Sequence, residues 1–256
     1  MFKLSGLSWI ALLVYLFLYL PLFILVIYSF NASRFGSEWQ GFTLKWYVLL
    51  LEDTALLQAT KNSLFIAATT AVMSTFLGVA AGFALKIMRQ KFLVALITAP
   101  LAVPEIFMGV SLLVFFIALN LTLGIFSVTL AHITFCISYV ALVVQAGLAT
   151  QDAALVDSAR DLGATPRQAF YRITLPLLWP SIIAGMLLAF TLSLDDFVIT
   201  YFTSGAGATT LPVYIYSMIR VGITPEINAI STILMIISFL VLALAARVAP
   251  FLRSLA

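Results

Sequence analysis

Long apolar stretches separated by short polar ones dominate this chain. Residues 9–29 form an unbroken apolar run, and a helix needs about 20 residues to cross the hydrocarbon core of a bilayer. Segments of similar length recur along the chain, so the pattern predicts six membrane-spanning helices. They cover residues 9–29, 63–85, about 92–118, about 125–147, roughly 179–199 and about 229–246.

The composition agrees with this pattern. The 256 residues are 63% hydrophobic and only 9% charged, and the mean hydropathy is +1.16, whereas soluble domains carry about 25% charged residues. No polar linker is long enough to join separate domains, so we expect one all-α transmembrane domain over residues 1–256. Membrane lipid is its expected surroundings. Nucleic acid is not an expected partner, because no Lys/Arg-rich run is interleaved with aromatic residues.

The distribution of Lys and Arg orients the predicted spans. Six spans place both termini on one side of the membrane, and that side carries nine cations against four on the other. Cytoplasmic loops carry the excess of Lys and Arg, so both termini are expected in the cytoplasm. The nine are Lys3, Lys86, Arg89, Lys91, Arg160, Arg167, Arg172, Arg247 and Arg253, and the four are Arg34, Lys45, Lys61 and Arg220.

A polar segment over residues 151–178 lies between two apolar ones. Its pattern predicts two short helices, with Gly163 as the left-handed residue after the first. Thr165 and Pro166 are typical of an N-cap and a first helical residue, and Pro176 is expected to end the second helix. From these residues alone, a capped connector at the membrane surface remains an open interpretation.

Three acids fall inside predicted spans. In continuous helices, Glu105 lies about 20 Å and Asp195 about 24 Å from the cytoplasmic entry of its span, and Asp196 follows directly. Unpaired carboxylates in a bilayer are costly, so they are candidates for a transport path. A structural hydrogen bond for Glu105 and a solvated helix end for the two aspartates remain the alternatives. His132 is expected to be an interhelical hydrogen-bonder rather than a catalyst.

No other pattern suggests chemistry. Nucleophile motifs and metal-ligand pairs are absent from the sequence. The segment Gly205 to Thr210 lacks the Gly-Lys-Ser/Thr ending of a phosphate loop. We therefore expect no catalytic residue, no metal and no cofactor bound by this chain.

The polar segment resembles the cytoplasmic coupling signature of ATP-binding-cassette importer permeases, which usually contains Glu-Ala-Ala, a Gly after three residues, and Ile-x-Leu-Pro nine residues later. Here Asp157 and Ser158 replace the first two residues of that signature. By this resemblance the ATPase-coupling residues are Asp157, Ser158, Ala159, Gly163, Ile173, Leu175 and Pro176.

Other segments resemble the spermidine/putrescine permeases, specifically the second of their two paired permease subunits. These segments are Ser29-Phe30-Asn31-x-Ser33-Arg34-Phe35, Trp46-Tyr47, Leu130 to Cys136, Phe190 to Asp196, and Val221-Gly222-x-x-Pro225-Glu226-x-Asn228-Ala229. The resemblance implies a type I importer permease in the bacterial inner membrane, with a polyamine path along Glu105, Asp195 and Asp196. It also implies a second permease subunit, two ATP-binding subunits that use ATP and Mg²⁺, and an external solute-binding protein.

Three alternatives stay open at this point. A permease of the same class could carry another solute, such as a cationic amino acid, an opine or an iron complex. An ion-coupled secondary transporter could use Glu105 as its ion site, although no inverted repeat accompanies it. An intramembrane enzyme is the third alternative, and it lacks a catalytic constellation.

Overall fold

The computed structural model describes residues 6–33, 38–88, 90–222 and 224–254, which are helical almost throughout. The helices are α1 (Gly6–Tyr28), α2 (Lys45–Glu52), α3 (Thr54–Met88), α4 (Lys91–Ala102), α5 (Glu105–Ala118), α6 (Ile125–Ala149), α7 (Ala153–Asp161), α8 (Pro166–Ala169), α9 (Leu175–Asp195), α10 (Val198–Thr203), α11 (Leu211–Val221) and α12 (Pro225–Ser254). Lys3, Arg34, Phe35 and Arg89, which the topology or the family resemblance uses, lie outside the described residues. The all-α prediction is confirmed.

Within the described residues, four helices are long and apolar enough to cross a membrane. A fifth span is present if α4 and α5 count as one bent pair. The predicted sixth span falls in α12, in which the described stretch Pro225–Ile237 is apolar but shorter than these four helices. The four are Trp9–Tyr28, Thr54–Met88, Ile125–Ala149 and Pro166–Asp195.

The third predicted span is not one continuous helix. It divides into α4 and α5, which meet at an angle of 108°. Pro104 lacks a backbone N–H and disfavours helical geometry in the residue before it, and Val103 is extended at φ −83° and ψ 128°. Glu105 is therefore the first residue of α5, and the depth of about 20 Å expected for a straight helix does not apply.

The expectation that Pro176 ends a helix is wrong. A π-helical turn over Phe170–Thr174 joins α8 to α9, so the helix runs from Pro166 to Asp195. The Leu175 N–H donates to the Phe170 carbonyl, five residues back. This wider turn lies directly before Pro176, where a proline ring would otherwise clash with a regular α-helical turn. The helix then ends at Asp195, four residues before the predicted end of that span.

Contacts group the chain into two units: Met1–Leu57 with Ile215–Pro250, and Gln58–Tyr214 with Phe251–Ala256. In the first unit, buried Asn31 folds the loop between α1 and α2. Its side-chain amide donates to the Glu38 carbonyl at 2.8 Å, and its Oδ1 accepts from the Gln40 N–H at 2.9 Å. Trp46 Nε1 donates to the Asn31 carbonyl at 2.8 Å. Trp46 is thus a buried part of this loop fold.

The second unit has α6 at its centre, packed against α9, α4 and α10. Close packing of α3 on α6 depends on Gly78 and Gly82. A Cβ at Gly78 would lie 2.6 Å from the Cβ of Val140, and one at Gly82 would lie 2.8 Å from the Cγ1 of Val144. The absence of a side chain at these two positions therefore allows α3 to contact α6 closely.

Replacing Gly78 with alanine is expected to destabilise the helical fold by about 1–3 kcal/mol, the usual cost of inserting a methyl group into a packed core. The measurement is thermal inactivation of the purified protein in detergent. Gly124→Ala is the matched control, because a Cβ at Gly124 meets nothing within 4 Å. Val140→Ala should restore part of the lost stability in the Gly78→Ala background. Equal stability of Gly78→Ala and Gly124→Ala would contradict this account of the packing.

Candidate functional site

The three acids singled out from the sequence line one cavity. Its volume is about 280 Å³, and its lining combines carboxylates with aromatic and aliphatic side chains. None of the lining residues is Lys or Arg. The lining residues are Pro100, Glu105, Met108, Phe135, Tyr139, Leu192, Asp195, Asp196, Phe197, Val198 and Ile199.

Helix breaks bring the acids together. Glu105 begins α5 after the Pro104 break, Asp195 ends α9, and Asp196 lies in the link between α9 and α10. Helix α10 can approach α5 because Gly109 has no side chain: a Cβ there would lie 2.8 Å from Phe202 Cδ2. The packing of α10 on α5 therefore places the start of α5 opposite the end of α9.

The acids differ in exposure. Glu105 and Asp195 are exposed, whereas the side chain of Asp196 is only 5% exposed. Among the described residues, Asp196 contacts His132, whereas no ion pair involves Glu105 or Asp195. The cavity therefore presents two open carboxylates and one that is engaged within the protein.

Asp196 makes its hydrogen bonds through Oδ2. This oxygen accepts from the Thr200 N–H at 2.8 Å and from the Thr200 hydroxyl at 2.9 Å, and His132 Nε2 lies 3.2 Å away. Asp196 is extended at φ −64° and ψ 125°, so it is not part of α9. The predicted span over residues 179–199 placed Asp195 and Asp196 on one helix, which is wrong for this reason.

His132 is fully buried in α6 and contacts both helices that flank the Asp196 link. Its Nδ1 lies 2.7 Å from the hydroxyl of Ser193 in α9, and its Nε2 lies 2.9 Å from the hydroxyl of Thr200 in α10. The Thr200 hydroxyl gives its only hydrogen to Asp196, so it must accept from Nε2, which therefore carries a hydrogen. In the neutral ring, Nδ1 then accepts from Ser193. His132 is the interhelical hydrogen-bonder that the sequence predicted.

The order Ser193, His132 and Asp196 has the chemistry of a hydrolytic triad, but the site does not support this reaction. Ser193 is only 4% exposed, so its hydroxyl cannot reach a substrate in the cavity. Within the described residues, no group of three or more His, Cys, Asp or Glu is placed to hold a metal ion.

The polar segment has the caps expected from its sequence. Gly163 has a φ of +90°, its N–H donates to the Arg160 carbonyl at 2.9 Å, and the Ala164 N–H donates to the Ala159 carbonyl at 3.0 Å. These two bonds form a Schellman motif. At the start of α8, Thr165 caps the helix in a reciprocal capping box with Gln168. The two helices are therefore joined in a fixed geometry.

The outer side of this segment is open. Asp157, Ser158, Gly163 and Pro176 are exposed, while Ala159, Ile173 and Leu175 are half-buried. Leu162, directly before Gly163, is 90% exposed. Four of the seven predicted coupling residues therefore lie on an accessible surface.

Comparison with known proteins gives the family. Residues 74–254 match the model described as "binding-protein-dependent transport system inner membrane component". The chain belongs to this family. The permease is therefore a multi-pass protein of the inner membrane and a transport subunit rather than an enzyme.

Two curated relatives from Escherichia coli (strain K12) are similar over most of their length. The putrescine transport system permease protein PotI is 44% identical over 252 residues, with 93% of the permease and 90% of PotI covered. The spermidine/putrescine transport system permease protein PotC is 42% identical over 237 residues, with 91% and 89% covered. The resemblance noted from the sequence is confirmed.

Solved structures give the same fold. One is an importer of the acidic polysaccharide alginate, which matches with a TM-score of 0.69 and 17% identity over 93% of the permease and 94% of that chain. The methionine transporter MetNI matches with a TM-score of 0.66 and 16% identity over 84% of the permease and 99% of that chain. The permease therefore has the type I fold of ATP-binding-cassette importer permeases.

Some functional contacts escaped the sequence analysis. The contact between His132 and Asp196 was not predicted. Both residues lie in apolar segments, where a polar side chain usually has a polar partner because an unpaired one is costly. That rule alone could have paired the histidine with an acid. It could not have selected Asp196 over Asp195.

Proposed function

We propose that this permease moves polyamines, spermidine and putrescine, inward by alternating access. The observation that carries the proposal is the cavity that exposes Glu105 and Asp195 and has no Lys or Arg in its lining. Two carboxylates can replace part of the hydration of two ammonium groups, and Phe135, Tyr139 and Phe197 can add cation–π attraction. The names of both curated relatives include putrescine, which supports this cargo.

In this proposal, residues 1–256 form one transmembrane domain with six spans and cytoplasmic termini. It pairs with a second permease subunit, and two ATP-binding subunits supply the energy. These ATP-binding subunits dock on the coupling residues from Asp157 to Pro176, of which Asp157, Ser158, Gly163 and Pro176 are exposed. An external solute-binding protein delivers the cargo. Glu105, Asp195 and Asp196 are the acids of the path.

The test is competition for uptake of labelled putrescine in membranes that contain the full assembly. Unlabelled spermidine and putrescine should compete. Lysine and ornithine should compete poorly, because their α-carboxylate would be repelled by Glu105 and Asp195. Monoacetylputrescine is the matched control: it keeps the carbon chain of putrescine but has lost one ammonium group, and it should compete weakly.

Each other outcome has a definite meaning. Equal competition by lysine would favour a permease for cationic amino acids over the polyamine proposal. Uptake that continues without any co-purifying ATPase would favour an ion-coupled transporter and would contradict the whole class.

A further inference from the structure

His132 connects every element that meets at the Asp196 link. It lies in α6, and its ring contacts Ser193 near the end of α9, Asp196 in the link, and Thr200 in α10 at 2.7, 3.2 and 2.9 Å. The ring is fully buried and so cannot touch cargo. Its contacts nevertheless include Ser193 and Asp196, which lie close in sequence to Asp195, the residue that exposes its carboxylate to the cavity.

We propose that His132 is a positioning residue, which fixes the α9–α10 link through Asp196 so that Asp195 faces the cavity. This inference rests on the proposed function, because it assigns the cargo-facing role to Asp195 and Glu105. Asp196 then acts on transport from behind, as the attachment point of the link, and does not itself bind the cargo.

The backbone supports this division of roles. Asp195 is the last residue of α9, and the extended conformation of Asp196 turns the chain away from the helix axis. Since the two residues are adjacent, the direction of the Asp195 side chain depends on the dihedral angles of the link. Among the described residues, three donors hold Asp196 there: the N–H and the hydroxyl of Thr200 in α10, and His132 from α6. Without His132, the remaining contacts of the Asp196 side chain come from Thr200 in the adjoining helix α10.

The charges support it as well. The Oδ2 of Asp196 is directed at Thr200 and His132, and its side chain is 5% exposed. An ammonium group entering the cavity would have to displace these bonds to reach it, at the cost of a charge-assisted hydrogen bond. Asp195 is exposed and needs no such displacement.

Two substitutions separate the contacts of the ring. In His132→Gln the side-chain amide reaches the position of Nε2, so it can still donate to Asp196 and Thr200. In His132→Asn the amide reaches only the position of Nδ1, so it can keep Ser193 but loses Asp196. Uptake of putrescine at equal membrane abundance should fall about tenfold in His132→Asn, as expected for losing a hydrogen bond to a charged group, and should be largely kept in His132→Gln.

A double-mutant cycle with Asp195→Asn distinguishes positioning of Asp195 from a general structural role of His132, because only positioning makes the two losses of uptake depend on each other. If His132 acts by placing the Asp195 carboxylate, then His132→Asn should add no further loss once that carboxylate has been removed. If the fold-losses of uptake in His132→Asn and Asp195→Asn multiply in the double variant, the positioning role is overturned. Equal uptake by His132→Asn and His132→Gln would overturn it as well. Should His132→Asn fail to reach the membrane, the same cycle is run with Asp196→Asn, which weakens the bond from the other side.

The cycle also distinguishes a failure of the His132 proposal from a failure of the proposed function. Wild-type uptake by Asp195→Asn would contradict the proposed path itself. Reduced uptake by Asp195→Asn together with multiplying losses in the cycle would leave the path in place and remove only the role of His132.

Discussion

Replacing Gly163 with valine is expected to reduce cargo uptake to near background while the permease stays in the membrane. Gly163 has a φ of +90°, a left-handed conformation that costs an ordinary residue about 1–2 kcal/mol and a β-branched residue more. The Schellman bonds that cap the end of α7, just before α8, require this conformation. Valine would therefore turn α7 away from α8 and alter the surface proposed for ATPase docking.

Gly163→Asn is the matched control. A Cβ at Gly163 meets nothing within 4 Å, so the cost of a side chain there is conformational and not steric. Asparagine tolerates the left-handed conformation, so this variant should retain most uptake despite its larger side chain. The measurements are uptake by membranes and co-purification of the ATP-binding subunit. Normal uptake by Gly163→Val at equal abundance would remove the coupling role from this segment.

The caps of this segment could be predicted because they depend on neighbours in sequence. A glycine after an amphipathic turn, followed by Thr165 and Pro166, specifies one helix end and one helix start within a few residues. The structure has both, with the hydrogen bonds that these residues imply. The same holds for the long apolar helices, whose length and composition are local properties.

The effects of two prolines could not be predicted in this way. Pro104 separates two helices at 108°, whereas Pro176 lies inside a helix of 30 residues. The difference is that a π-helical turn directly precedes Pro176 and widens the backbone there, so the helix continues through the proline. Periodicity does not show whether the chain will break or widen at a proline, because the packing around it decides this.

The candidate site was predicted in part. The cost of unpaired carboxylates in a membrane selected Glu105, Asp195 and Asp196, and all three line one cavity. Their division into two exposed acids and one buried acid depends on the His132 contact and on the helix end at Asp195, which are properties of tertiary structure.

Exchanging both exposed acids for amides, in Glu105→Gln with Asp195→Asn, is expected to reduce putrescine uptake strongly. A hydrogen bond to a charged group contributes about 1.5–3 kcal/mol, so each single variant should lower putrescine uptake about tenfold or more. The double variant should be near background. Glu226→Gln is the matched control, because this acid lies in the first turn of α12 and bonds to the Thr224 hydroxyl, and its amide can still accept that bond.

Co-purification of the ATP-binding subunit shows whether the loss of uptake comes from the cargo path or from ATPase docking. Both amides keep the shape of the acids they replace. Neither position belongs to the coupling segment, and Asp195 is the last residue of the helix that begins at Pro166. Co-purification of the ATP-binding subunit should therefore equal that of the unmodified permease. Loss of uptake with normal co-purification places the defect in cargo movement. Wild-type uptake by the double variant would contradict the acidic path, because no other carboxylate exposed in this cavity remains to receive the cargo's ammonium groups.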